Sequence, residues 1–174
     1  MLFQRAELLY LFADENRRHY HLSIPAVTKH YKSSGYKDEL VWAAAWVYRA
    51  TGNDLYLKQV KLFAVHRPKQ KLVFKMVFKA MKGYSTFGLK NSPLGMRFSW
   101  DDKTVGVSVL LAQITESPIR DQYLESAEKY CNDIQSNKKV LYTPMGLVFL
   151  DEWGPIRYAM NSAAACLMVS DLTT

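Results

Sequence analysis

The sequence predicts an all-α fold, an α/α toroid made of inner and outer helix hairpins, on three observations. Apolar residues recur at three- and four-residue spacing in several segments, while no segment alternates apolar and polar for long. Three of the helical segments are apolar nearly all round, and a helix without a polar face must be covered on every side. Their starts, near residues 38, 103 and 155, lie 65 and 52 apart, a repeat of helix pairs with one pair too long.

In chain order, the first helical segment carries a stripe of Ala6, Leu9, Phe12 and Ala13. The second runs from Asp38 through ELVWAAAWVYRAT to Gly52, a natural C-terminal stop, and its apolar surround gives it an inner position. After Asn53 and Asp54, which are good capping types, LYLKQVKLFAV is amphipathic and suits an outer layer. TVGVSVLLAQI from Thr104 is again apolar, and after Ser117 and Pro118 the stretch IRDQYLESAEKYCNDIQSN is charged on one face. The third inner helix opens at Pro155, whose fixed φ suits a first turn, and continues through IRYAMNSAAACLMVSD. This makes roughly three pairs. A closed ring needs more chain, so the flanks of the inner helices are expected to lie uncovered and the chain to be part of a larger domain.

The 174 residues, 49% of them hydrophobic, suit one globular domain with a sizeable core and exclude disorder. No run approaches the roughly 20 apolar residues of a membrane helix. The N-terminal MLFQRAELLYLFADENRR carries charges inside its apolar stretch, unlike a signal peptide, so the chain is expected to be intracellular or to lack its beginning. The net charge of +7 is confined to one segment: residues 58 to 82 hold eight basic residues and no acid, leaving the other residues at −1. That distribution argues against nucleic acid or an anionic membrane as the general partner.

Cys131 and Cys166 make no C-x-x-C pair and no disulfide framework, and are read as small apolar fillers. His19, His21, His30 and His66 show no ligand spacing and are read as lone surface histidines, so neither a metal nor a cofactor is expected. G-x-S-x-G, P-loop and G-x-G-x-x-G strings are absent. The adjacent carboxylates Asp38-Glu39, Asp101-Asp102 and Asp151-Glu152 cannot each straddle one bond, because helical neighbours diverge by about 100°. The first pair reads as an N-terminal cap.

Three strings carry a family resemblance: SGYKDELVWAAAWVYRATGNDLYL from Ser34, FSWDDKTVGVSVLLAQ from Phe98, and TPMGLVFLDEWGPIRYAMNSAAACLMVSD from Thr143. In this order they resemble glycoside hydrolase family 9, the inverting endo-β-1,4-glucanases or cellulases. FADENRRHYHLSIPAVTKHYKSSGY also follows that family's helix-to-loop pattern. The resemblance implies a partial (α/α)6 barrel, the central portion of a catalytic domain, acting as a monomer on a β-1,4-glucan and secreted. It also implies cleft residues. Asp101 in SWDDK points toward the substrate, Trp153 in DEWGPIRYA is an aromatic platform, and Arg157 and Tyr158 are polar sugar contacts. A tryptophan wedged under a helix start is the alternative for Trp153. Tyr31 matches the tyrosine of a Tyr-x-x-Trp element whose tryptophan this chain lacks, and Met96 stands where a second platform tryptophan is usual.

Inverting glycosidases set a carboxylate base and a carboxylic acid about 6.5–9.5 Å apart. The family's D-A-G-D base motif, its late acidic Glu and its R-P-H-H-R segment have no counterpart in this sequence, so the chain is not expected to hydrolyse glucan alone. Residues 61 to 82 fall outside the resemblance and coincide with the overlong repeat. Within them Lys71, Lys75, Lys79 and Lys82 form one stripe opposite Leu72, Phe74, Val77 and Phe78. A retained intron, an insertion on the outer face, and a membrane or nucleic-acid helix are the readings open for this block.

Overall fold

The computed structural model describes residues 2–63, 97–136 and 140–174, and the chain divides into two units, Met1–Gly83 and Tyr84–Thr174. Met96 and residues 64–82 of the basic block lie outside the described residues.

The first unit holds α1 (Leu2–Glu15), the single turn α2 (Tyr20–Ser23), a 3-10 turn at Pro25–Lys29, α3 (Lys37–Thr51) and α4 (Asp54–Phe63). α4 thus continues into the first three residues of the basic block. Helix α3 packs on both α1 and α4. Ala44 and Ala45 are fully buried, and their small side chains let the neighbouring helices approach closely. Gly52 ends α3 in the left-handed conformation at φ +68°, its N–H returning to Tyr48 O at 2.8 Å. Asn53 Oδ1 then accepts Leu55 N–H at 3.0 Å and opens α4. Tyr10 and Tyr56 meet edge to face with centroids 5.4 Å apart, a pair worth about 1 kcal/mol beyond its burial.

One expectation is corrected in this unit. The α1 stripe of Ala6, Leu9, Phe12 and Ala13 is exposed, and Tyr10 is the buried residue, flanked by the partly buried Glu7 and Asp14. Tyr56 hydroxyl donates to Glu7 Oε1 at 3.1 Å, so a polar anchor decides which face of α1 turns inward. In α3, Trp46 stays exposed beside Trp42, with the Arg49 guanidinium 5.5 Å over its ring, an uncovered flank of the kind expected for an inner helix of an incomplete ring.

The second unit holds α5 (Thr104–Ile114), α6 (Ile119–Gln135), strands β1 (Leu141–Tyr142) and β2 (Val148–Phe149), and α7 (Pro155–Thr173). Every residue of α5 from Gly106 to Ala112 is buried, as an inner helix requires. It packs on α6 and α7, which also pack on each other. Tyr130 of α6 and Ser162 of α7 meet at 2.7 Å, and Ser162 donates onward to Tyr158 O at 2.8 Å. Arg120 Nη2 donates to Leu172 O at 2.9 Å, satisfying a carbonyl at the end of α7.

Cys131 and Cys166 are bonded to each other across α6 and α7, with Cα atoms 5.5 Å apart, which corrects the reading of both as apolar fillers. The strands are a further departure. They pair antiparallel with Tyr142 opposite Val148, closed by Thr143-Pro144-Met145-Gly146 with Gly146 at φ +83°. Gly146 N–H donates to Thr143 O at 2.9 Å and Thr143 N–H to Leu147 O at 2.8 Å, a β-turn followed by a left-handed glycine. On α7, Ile156, Met160 and Leu167 remain exposed, an uncovered inner-helix flank of the kind expected. Among the described residues no helix is long and apolar enough to cross a membrane.

Candidate functional site

The entry to α7 gathers three of the candidate residues. Gly154 is left-handed at φ +64° and Pro155 supplies the first helical φ, so the chain turns sharply just after Trp153. Asp151 Oδ1 accepts Trp153 N–H at 3.0 Å, an Asx-type turn. Arg157 Nη2 donates to Trp153 O at 3.2 Å and to Tyr158 hydroxyl at 3.1 Å. The Trp153 indole is left 75% exposed, so the reading of a tryptophan wedged under the helix start does not hold for its side chain. Tyr158 is buried, and it reaches the site through Arg157, whose guanidinium lies 4.8 Å over its ring.

Arg97 joins this group from a distant part of the sequence. It forms an ion pair with Asp151 Oδ2, and its guanidinium lies 5.9 Å from the Tyr158 ring centre. The next residue is also fixed, because Asn161 Nδ2 of α7 donates to Phe98 O at 2.8 Å. Two guanidinium groups therefore flank one phenol ring, and one carboxylate and one guanidinium hold the backbone that carries the exposed indole.

Asp101 lies in the loop that follows Arg97. Ser99 N–H donates to Asp102 O at 2.9 Å, Lys103 Nζ donates to Ser99 O at 2.6 Å and Trp100 O at 2.7 Å, and Asp102 Oδ1 accepts Thr104 N–H at 2.8 Å. These bonds close the loop over the start of α5. Asp101 donates its own N–H to Ser99 Oγ at 3.2 Å, and its side chain is half-buried. Behind the loop, burial raises the Tyr130 hydroxyl above the usual tyrosine range, with the Asp102 charge adding to the effect.

Tyr31 belongs to the first unit and is described apart from these residues. It is half-exposed, and Tyr20 hydroxyl donates to its carbonyl. His19 and His21 of that unit are not lone surface residues: their rings lie 5.2 Å apart, and both Nδ1 atoms are buried without a hydrogen-bond partner. Among the described residues no three His, Cys, Asp or Glu side chains are grouped so as to hold a metal ion.

Arg97, Asp151 and Asn161 escaped sequence reasoning. Asp151 carried a local signal, an aspartate two residues before the amide it caps. Arg97 carried none, because its partner is 54 positions away.

The chain is 34% identical over 99% of its length to endoglucanase B of Cellulomonas fimi, of which it spans 15%. It is 35% identical over 98% of its length to endoglucanase 5 of Arabidopsis thaliana, of which it spans 26%. Among solved structures, an endoglucanase of the termite Nasutitermes takasagoensis superposes with TM-score 0.67 at 32% identity, over 95% of this chain and 32% of that one. Endoglucanase CelQ of Clostridium thermocellum complexed with cellotetraose gives TM-score 0.68 at 29% identity, over 95% and 25%. These neighbours fold as (α/α)6 barrels, and the helix hairpins described above are part of such a barrel. The family model for glycosyl hydrolase family 9 matches residues 1–174, and with the helical hairpins and these relatives it shows that the chain belongs to glycosyl hydrolase family 9.

Proposed function

We propose that the chain forms part of the glucan cleft of an endo-β-1,4-glucanase, with Trp153 as the stacking platform, Asp101 and Arg157 as polar groups around the sugar and Tyr158 acting through Arg157, while Tyr31 is a separate candidate sugar contact of the first unit. One observation carries this reading: an indole left 75% exposed while both its backbone N–H and C=O are held by side chains. A flat indole covers the apolar face of a glucose ring, and a neighbouring guanidinium donates to the hydroxyls at its edge. The cellotetraose in the CelQ complex supports a β-1,4-linked substrate. A monomer suffices, since the residues named lie on one chain, and binding calls for no cofactor. The bond between Cys131 and Cys166 supports passage through an oxidising compartment, as for a secreted protein.

Inversion needs a separated base and acid, and the motifs that carry them in this family are not in this sequence. The chain therefore binds glucan without cleaving it. The same gap favours a second reading, a carbohydrate-binding or interaction remnant of the barrel, and residues 61 to 82 are an insertion in it. Titration with cellotetraose tests the binding: Trp153→Ala is expected to abolish measurable affinity, and unchanged affinity would remove the platform. Turnover of carboxymethyl-cellulose that survives repurification and disappears on Asp101→Ala would overturn the non-catalytic reading.

A further inference from the structure

Resting on the platform reading above, we propose that Asp151 and Arg97 are positioning residues that hold the Trp153 indole in its binding orientation. At 75% exposure the indole has little packing to fix it, so its orientation depends on the backbone that carries it. That backbone is tied from both sides, by Asp151 Oδ1 on the N–H and by Arg157 Nη2 on the C=O. Asp151 divides its oxygens between two tasks. Oδ1 caps Trp153, while Oδ2 takes the Arg97 guanidinium, which fixes the carboxylate plane and so the direction of the cap.

Arg97 is itself held. It lies over the Tyr158 ring, and Asn161 pins the carbonyl of its neighbour Phe98 to α7. The ion pair is partly shielded, with side-chain exposures of 34% and 27%, so water competes with it less than with a surface pair. A platform whose backbone is fixed in this way has less freedom to lose when a sugar stacks on it, and preorganisation of that kind raises affinity without a new contact.

The test labels the full chain with fluorotryptophan at Trp42, Trp46, Trp100 and Trp153 and reads fluorine NMR, the Trp153 resonance being the one lost in Trp153→Ala. Asp151→Ala and Arg97→Ala are expected to move that resonance toward the free amino acid while leaving Trp42 and Trp46 in place. Both should raise the cellotetraose Kd by about threefold or more. Arg97→Lys, which keeps the charge and disturbs the fold least, should restore part of the resonance position. An unmoved Trp153 resonance in Asp151→Ala, or a failure of Arg97→Lys to differ from Arg97→Ala, would overturn the proposal. If Trp153→Ala leaves cellotetraose binding intact, the platform reading fails, yet the resonance still decides whether Asp151 and Arg97 position the indole.

Discussion

Tyr130 donates its hydroxyl hydrogen to Ser162 Oγ at 2.7 Å, because Ser162 has already committed its only hydrogen to Tyr158 O. Both residues are buried, so the two ends of this bond are unequal. Ser162→Ala strands a buried phenol and is expected to cost about 1–3 kcal/mol, whereas Tyr130→Phe leaves Ser162 satisfied and should cost about 1 kcal/mol or less. Urea unfolding of the two variants measures the difference. Equal losses would show that Tyr130 is the acceptor.

The cross-link between Cys131 and Cys166 encloses a separation of 35 residues. In the loop-entropy account, closing a loop of that size restricts the unfolded chain by about 3–4 kcal/mol. Reduction, or the double change to alanine, should lower stability on that scale. Denaturant midpoints with and without reductant check it, and a shift below about 1 kcal/mol would place the effect elsewhere.

Alkali should weaken both units. Burial, with the charge of Asp14 adding to it, pushes the Tyr10 hydroxyl from 10.0 up to about 12, and burial alone does the same for Tyr123. Folded values above the unfolded one mean that the fold favours the neutral phenol. Its contribution is complete below pH 10 and is lost as pH rises from 10 toward about 12. Melting temperature should fall through that window, more steeply in the native sequence than in Tyr123→Phe. A parallel fall in both would remove Tyr123 as a cause.

Gly52 and Gly154 both sit in the left-handed region, but only one of them is crowded. A Cβ on Gly52 would meet nothing within 4 Å, while one on Gly154 would lie 3.3 Å from Arg157 Nε. Each change to alanine should cost about 1 kcal/mol for the backbone alone. Only Gly154→Ala should also displace Arg157 and alter the emission of the exposed indole. An emission change in Gly52→Ala of the same size would refute that distinction.

Helix starts were legible where a local residue dictates them. Pro155 opens α7, Gly52 closes α3 and Asn53 caps α4, and each acts through its own backbone or side chain. The buried face of α1 was not legible, because its most apolar stripe lies outward and Glu7 draws the helix in through Tyr56. Two-residue strands are too short to show alternation. The cysteines gave no signal, since their meeting depends on how α6 packs on α7. In the candidate site, Trp153, Arg157 and Tyr158 came from a motif, while Arg97 required the fold to bring it to Asp151.

The hairpin of β1 and β2 lies inside the loop that the cross-link closes, with Met145 at its tip 90% exposed. Exposed tips of this kind are where proteases cut first. A single cut there would leave both pieces covalently joined, and β1 would still be carried on the α6 side and β2 on the α7 side. The nicked molecule would keep its mass apart from one added water, and on a gel it would separate into two bands only after reduction.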